Sequence, residues 1–362
     1  MVARGPGAVG CAHCTRLGAD VPCPVCKHLV CDACAADWAT CSEPSGRTFR
    51  IGRVTGALID VDPTGRYGLV KRRWGQLRII DLRALKWLAI DDLPSRGWKD
   101  LVPRLTGDGR LLRPEFNGAT TNEVPLFSGI GEWRVAGGGM RHVDVPQPVR
   151  ATGVSTSEDW YWYVTDTETV ALTQLKAALS GRCEVYEPLP KKVVQAVWFD
   201  PIRRVLVSGT WGEIAIHRVV DDRLVLAGHV KTTGDTVWLQ MSGGYLAARV
   251  RGGDLRGLTV WKLYDDFSVG PIAARFDRVE SEALARDGRF VAAGLTGGRV
   301  IVQSLLTAEQ FELGGHRGDV TYLGFVGGEQ LLVSADDDHR VIVRPRAGQS
   351  YAEAILPAEL DS

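Results

Sequence analysis

No apolar run in this 362-residue chain reaches the roughly 20 residues that a membrane-spanning helix needs, and Met1–Gly10 holds no apolar stretch of the kind that opens a secreted protein. A cytoplasmic protein is expected. Net charge is also lacking: Lys plus Arg and Asp plus Glu each number 43, so no global field draws the chain toward nucleic acid or an anionic membrane. Its partners are expected to be proteins, recognised locally. No catalytic motif stands out. Gly137-Gly138-Gly139 is not followed by the Lys-Ser/Thr of a phosphate-binding loop, and Asp336-Asp337-Asp338 falls where a turn is expected. Cys183 has no histidine near it in sequence and is expected to be a strand or loop thiol rather than a nucleophile. No enzyme is expected.

Cysteine is scarce except in one place. Of eight cysteines, seven lie between Cys11 and Cys41. They form the pairs Cys11/Cys14, Cys23/Cys26 and Cys31/Cys34, with Cys41 left over. A two-residue gap lets both sulfurs of a pair face one ion, and zinc takes four thiolate or imidazole ligands, so three pairs and a remainder imply two zinc ions. The run Cys23-Pro-Val-Cys-Lys-His-Leu-Val-Cys-Asp-Ala-Cys34 resembles the treble-clef core of FYVE, RING and MYND fingers, and Asp37-Trp38 resembles the MYND finger's acidic-aromatic helix. The resemblance covers residues 11 to about 46. It implies interleaved ligation, with Cys11, Cys14, Cys31 and Cys34 on the first zinc and Cys23, Cys26 and Cys41 on the second. The fingers have an eighth ligand beside the last, whereas Cys41 is followed by Ser42-Glu43-Pro44-Ser45. Asp37, four residues before Cys41 and on its face if Ala35–Cys41 is helical, or His28 inside the hairpin is the candidate, with His13 behind them. The segment carries a charge of minus two before metal and minus five with seven thiolates and two Zn²⁺, which suits protein contact better than phosphate. Trp38 is either packed within the finger or exposed for docking.

From Phe49 the texture changes to short β-branched and aromatic runs broken by Gly, Asp and Asn turns. A repeat emerges. Gly315-His-Arg-Gly-Asp-Val-Thr-Tyr-Leu-Gly-Phe325, followed by Gln330-Leu-Leu-Val-Ser-Ala-Asp-Asp-Asp-His-Arg-Val-Ile-Val-Arg344, resembles a WD repeat. By that resemblance His316, Ser334 and Asp338 are structural and hydrogen-bond toward a third-strand Trp. That position is Arg344, so the network is expected to be incomplete. The turn entering the third strand recurs with markers at 75, 122, 168, 212, 256, 298 and 339, stepping by 47, 46, 44, 44, 42 and 41 residues. First strands with their turns are visible at 58–67, 197–204 and 283–290. The second unit, about residues 100–145, contains Asn117–Thr121 and Gly137–Gly139, read as candidate long loops. Thr48–Ile51 alternates as an outer strand would.

The expected architecture is all-β: a flexible N-terminus (1–10), a cross-braced treble-clef zinc finger (11–46), a seven-bladed WD-like β-propeller (47–357) and a C-terminal tail (358–362). In WD-like propellers the turns between second and third strands open on one face, which would gather Arg72, Arg73, Trp74 and Trp211 as a protein-binding surface. The alternative is that both Trp side chains cap their own blades. The expected function is a non-catalytic interaction scaffold within a multiprotein complex. Two alternatives are a RING-like ubiquitin ligase that holds substrate on its propeller and a propeller component of a prokaryotic ATPase-associated system.

Overall fold

The computed structural model describes residues 21–22, 29–30, 39–42, 48–72, 77–82, 86–87, 104–105, 110–121, 124–134, 140–144, 149–154, 160–165, 169–174, 184–188, 195–200, 203–221, 223–328 and 330–345. Its side-chain detail lies in 54–72, 77–82, at Trp87 and Leu105, and in the described residues from 195 onward. Among these residues every regular element is a strand, apart from a 3-10 turn at Thr296–Gly298. The strands form successive antiparallel meanders over 57–87, 104–144, 149–188, 196–276, 279–313 and 320–345.

Of the marker positions among the described residues, 256, 298 and 339 fall between two strands of a meander. The strand Val205–Val220 contains one such turn. It reverses at Gly212 (φ 90°), and Val219 N–H donates to Arg204 O at 2.8 Å. The same closing bond recurs as Leu82 N–H to Arg66 O, Leu263 N–H to Gly244 O and Leu305 N–H to Arg289 O. Arg223–Ser242 likewise pairs in its first half with the strand before it and in its second half with Tyr245–Arg251. The six-stranded sheet therefore contains two consecutive four-segment meanders.

Second strands carry unbroken apolar runs, such as Val205-Leu206-Val207 and Val291-Ala292-Ala293, because neighbouring sheets cover both of their faces. Each Val or Leu among them contributes about 1.5–3 kcal/mol of burial. The core lies between sheets rather than at one centre. Leu69, Leu77 and Ile79 pack with Leu105 of the following sheet. Leu246 and Trp261 pack with Val205 and Ile214, and Val291 with Val260 and Phe276. Leu58, Val70 and Ile80 of the first sheet pack with Val326, Val333 and Val343 of the last. Packing that runs from sheet to sheet and returns to the start is a β-propeller.

Closure is also made by the backbone. Thr48–Arg53 is the outer strand of the last sheet, pairing antiparallel with Arg340–Pro345. Ala39–Ser42 adds outside it, with Cys41 opposite Phe49. This corrects the helical reading of Ala35–Cys41 at its C-terminal end. Thr, Cys and Ser are poor helix formers, and the paired edge offers their backbone a better partner. Asn117–Thr121 is likewise not a loop: it ends the strand Arg110–Thr121, with Thr121 opposite Val124, and the irregular register between Phe116 and Thr120 accommodates Asn117-Gly118. Gly137–Gly139 lies outside the described residues.

Candidate functional site

The strands Leu331–Asp336 and Arg340–Pro345 bring a buried polar network together beneath the last marker turn. His316 lies with Nε2 2.8 Å from Ser334 Oγ and Nδ1 3.0 Å from Asp336 Oδ2. Burial pushes the His316 imidazole below its ordinary pKa, partly offset by Asp336, so the ring is neutral and its single N–H belongs on Nδ1, facing the carboxylate. Ser334 then donates to Nε2. Burial works to raise Asp336, but the His316 bond and the Arg340 and Arg317 N–H groups outweigh it and hold the carboxyl below its usual range.

Arg344 completes this network instead of leaving it open. Its Nη1 donates to Ser334 Oγ at 3.3 Å and its Nη2 to Gly314 O. Arg340 adds a bond from Nη1 to Gly315 O at 2.6 Å. The expectation of an incomplete network is thus overturned: a guanidinium donates where an indole was expected. The structural acid is Asp336 rather than the expected Asp338: Asp336 holds the histidine and Asp338 is exposed. The order Ser334, His316, Asp336 matches that of a hydrolytic triad, yet the His316 and Asp336 side chains have no exposed surface and Ser334 is fully buried. No substrate reaches the hydroxyl, so the network holds turn and strand together.

Trp211, 66% exposed, stands at the turn before Gly212. Arg72 is half-buried at the end of its strand, while Arg73 and Trp74 lie outside the described residues. His339 occupies the left-handed region (φ 64°), and Asp337 and Asp338 are exposed beside it.

Of the predicted metal ligands only Cys41 is placed, on Ala39–Ser42; Cys11, Cys14, Cys23, Cys26, Cys31, Cys34, Asp37 and His28 lie outside the described residues, as do His13, Trp38 and Cys183. The strands Val21–Pro22 and Leu29–Val30 pair antiparallel. Among the described residues no group of three or more His, Cys, Asp or Glu could hold a metal ion.

One ion pair went unread in the sequence. Glu282, on Val279–Leu284, lies with Oε2 3.0 Å from Arg249 Nε, without a directed hydrogen bond, and its side chain is buried. Burial pushes its carboxyl up to about 7 against the pull of Arg249, with Glu280 adding to the rise. Arg249 also donates from Nη1 to Glu280 O at 2.6 Å, joining two meanders. Nothing local signals a pair 33 residues apart.

Among the described residues no helix is long and apolar enough to cross a membrane. No protein-family model and no curated protein matches the chain. Among solved structures, the β-propeller domain of Cps50 (Swd1) from Myceliophteria thermophila aligns with a TM-score of 0.59 at 13% identity, covering 82% of this chain and 99% of that one. At that identity the likeness speaks for fold alone, and together with the cyclic packing it establishes the chain as a β-propeller.

Proposed function

We propose that this chain is a non-catalytic protein–protein interaction scaffold: a seven-bladed propeller whose marker-turn face recruits one partner, joined to a cysteine-rich segment holding two zinc ions. The observation that carries the reading is Trp211, two-thirds exposed at a glycine-assisted turn, since an indole held out from a rigid turn is the side chain that most often anchors a protein interface. Counting the six-stranded sheet as two blades supports a total of seven. Pairing of Ala39–Ser42 with the outer strand of the last sheet supports a cysteine segment docked on the propeller rim.

Where the ligand set is concerned, seven cysteines fit zinc, and Cys41 sits on a backbone fixed by hydrogen bonding. A metal there would tie the N-terminal segment to the ring. Elemental analysis of untagged protein tests this: two zincs, one lost on Cys41→Ser and again on Asp37→Ala or His28→Ala, are expected. One zinc or none refutes the two-metal reading and leaves the propeller alone. The scaffold reading is tested by quantitative affinity capture from the source cells with wild type and Trp211→Ala, followed by titration of the purified partner. A partner lost on Trp211→Ala is expected; equal retention and equal affinity would refute the assignment of this face.

A further inference from the structure

The outer edge of the last sheet joins the cysteine-rich segment to the ring through paired backbone. The strands of that sheet lie in the order Val320–Val326, Leu331–Asp336, Arg340–Pro345, Thr48–Arg53 and Ala39–Ser42. One row of paired residues crosses the whole sheet: Leu323, Ser334, Ile342, Ile51 and Ala39. Ser334 belongs to the buried network and Ile342 is fully buried, so the row starts in the core. It ends two residues from Cys41, which stands on the same face of the sheet as Ala39 because strand residues alternate.

Thr48–Arg53 has two neighbours of different kinds. Ala39–Ser42 is local, separated from it by residues 43–47, whereas Arg340–Pro345 comes from the far end of the chain. Val54 N–H donates to His339 O at 2.9 Å, and bonded pairs alternate along an antiparallel ladder, so Gly52 and Val341 form the next bonded pair in that register. Two strands alone are marginal in water. The pair formed by 39–42 and 48–53 therefore takes its order from what holds it on either side: the ring through Arg340–Pro345 and, on the two-zinc reading, a metal held at Cys41. Whichever of the two acts first removes chain entropy that the other would otherwise have to overcome.

We propose, building on the two-zinc reading above, that metal occupancy at Cys41 and closure of the ring are linked: the cysteine segment is a latch, and filling it tightens Thr48–Arg53 against the last sheet. The two-zinc reading alone does not require this coupling. A cysteine segment hung from the ring by a slack chain would bind zinc equally well with the closing strand in place or away. Cys41 is not beyond the paired stretch but inside it, opposite Phe49, so a ligand atom fixed there fixes a strand of the sheet. Linkage is reciprocal. The closed ring binds the metal more tightly than a ring whose closing strand has come away, by the same factor by which the metal favours closure.

Amide exchange read by mass spectrometry tests the latch, on the full chain under reducing conditions, before and after EDTA has removed the zinc that elemental analysis finds. Removal should speed exchange over 39–42, 48–53 and 340–345 about tenfold or more and leave 205–207 and 291–293 unchanged. Cys41→Ser should show the fast exchange from the start and respond no further to EDTA, and added zinc should slow exchange in the wild type but not in the variant. From the ring side, Gly52→Pro takes an N–H out of the ladder and should weaken zinc binding about tenfold in competition with a chromophoric chelator, in protein whose exchange over 205–207 stays slow. Cys183→Ser, remote in sequence from the cluster, should leave zinc binding as it is. Zinc that binds and leaves with no change over 48–53 and 340–345 would overturn the latch and spare the two-zinc reading. Exchange that speeds equally in every strand, or wild-type zinc affinity in Gly52→Pro, would overturn the latch as well. A chain that takes up no zinc would overturn both.

Discussion

Replacing Glu282 by glutamine should stabilise the protein in a manner that grows with pH. The carboxyl titrates at about 7 in the fold against an ordinary 4.5, raised by burial that the Arg249 guanidinium offsets only in part. A group whose folded pKa lies above its unfolded one contributes fully below the unfolded pKa and loses that contribution as pH rises through the folded pKa. Below 4.5 both states hold the proton and nothing is lost. Above about 7 both states are ionised, and keeping the charge buried costs roughly 3 kcal/mol. Glutamine fills the same volume without the charge. Arg249 is not orphaned by the change, since Nη1 keeps Glu280 O at 2.6 Å and a quarter of its side chain meets solvent. Urea unfolding of wild type and Glu282→Gln, monitored by tryptophan fluorescence across the pH range, measures the difference directly. The variant's advantage should be near zero at the acid end, rise between 4.5 and 7 and level off above. A constant difference, or a less stable variant at alkaline pH, would refute the reasoning, because the Arg249 attraction would then outweigh the desolvation.

Two further predictions follow from the last sheet. Arg344→Ala removes a buried donor from Ser334 and Gly314 and should cost about 3 kcal/mol or more in urea unfolding, with Arg344→Lys intermediate because an ammonium cannot span both acceptors. Deleting residues 1–53 strips Arg340–Pro345 of its outer partner and exposes a long edge, so size-exclusion chromatography should show aggregation, whereas deletion of 1–38 keeps the closing strand and a discrete peak.

The repeat was legible because its signals are local. A marker turn needs a residue tolerant of positive φ, and Gly212, Gly257, Gly298 and His339 supply one at or beside four of the marked positions. The strands between them show as apolar runs whichever sheets they pack against. Closure by Thr48–Arg53 could be suspected from alternation but not assigned, since its partner lies almost 300 residues away. The strand at Ala39–Ser42 escaped for the same reason: spacing within a segment is silent about a strand waiting elsewhere.

The buried polar groups were harder to read, and the reason is chemical. Arginine at the third-strand position looks like a broken repeat when judged by type, because the familiar occupant of that position is an indole with one N–H. A guanidinium has five donors in a planar fork, enough to reach both Ser334 Oγ and the Gly314 carbonyl. It also brings a positive charge into a buried cluster that already holds Arg340, with Asp336 as the carboxylate that the network bonds. A neutral His316 is the form such a cluster demands, since a protonated ring would add a third cation to the same pocket. Burial is the main cause of that neutrality, and the Arg344 charge adds to it while the same guanidinium repairs the hydrogen bonding of the serine.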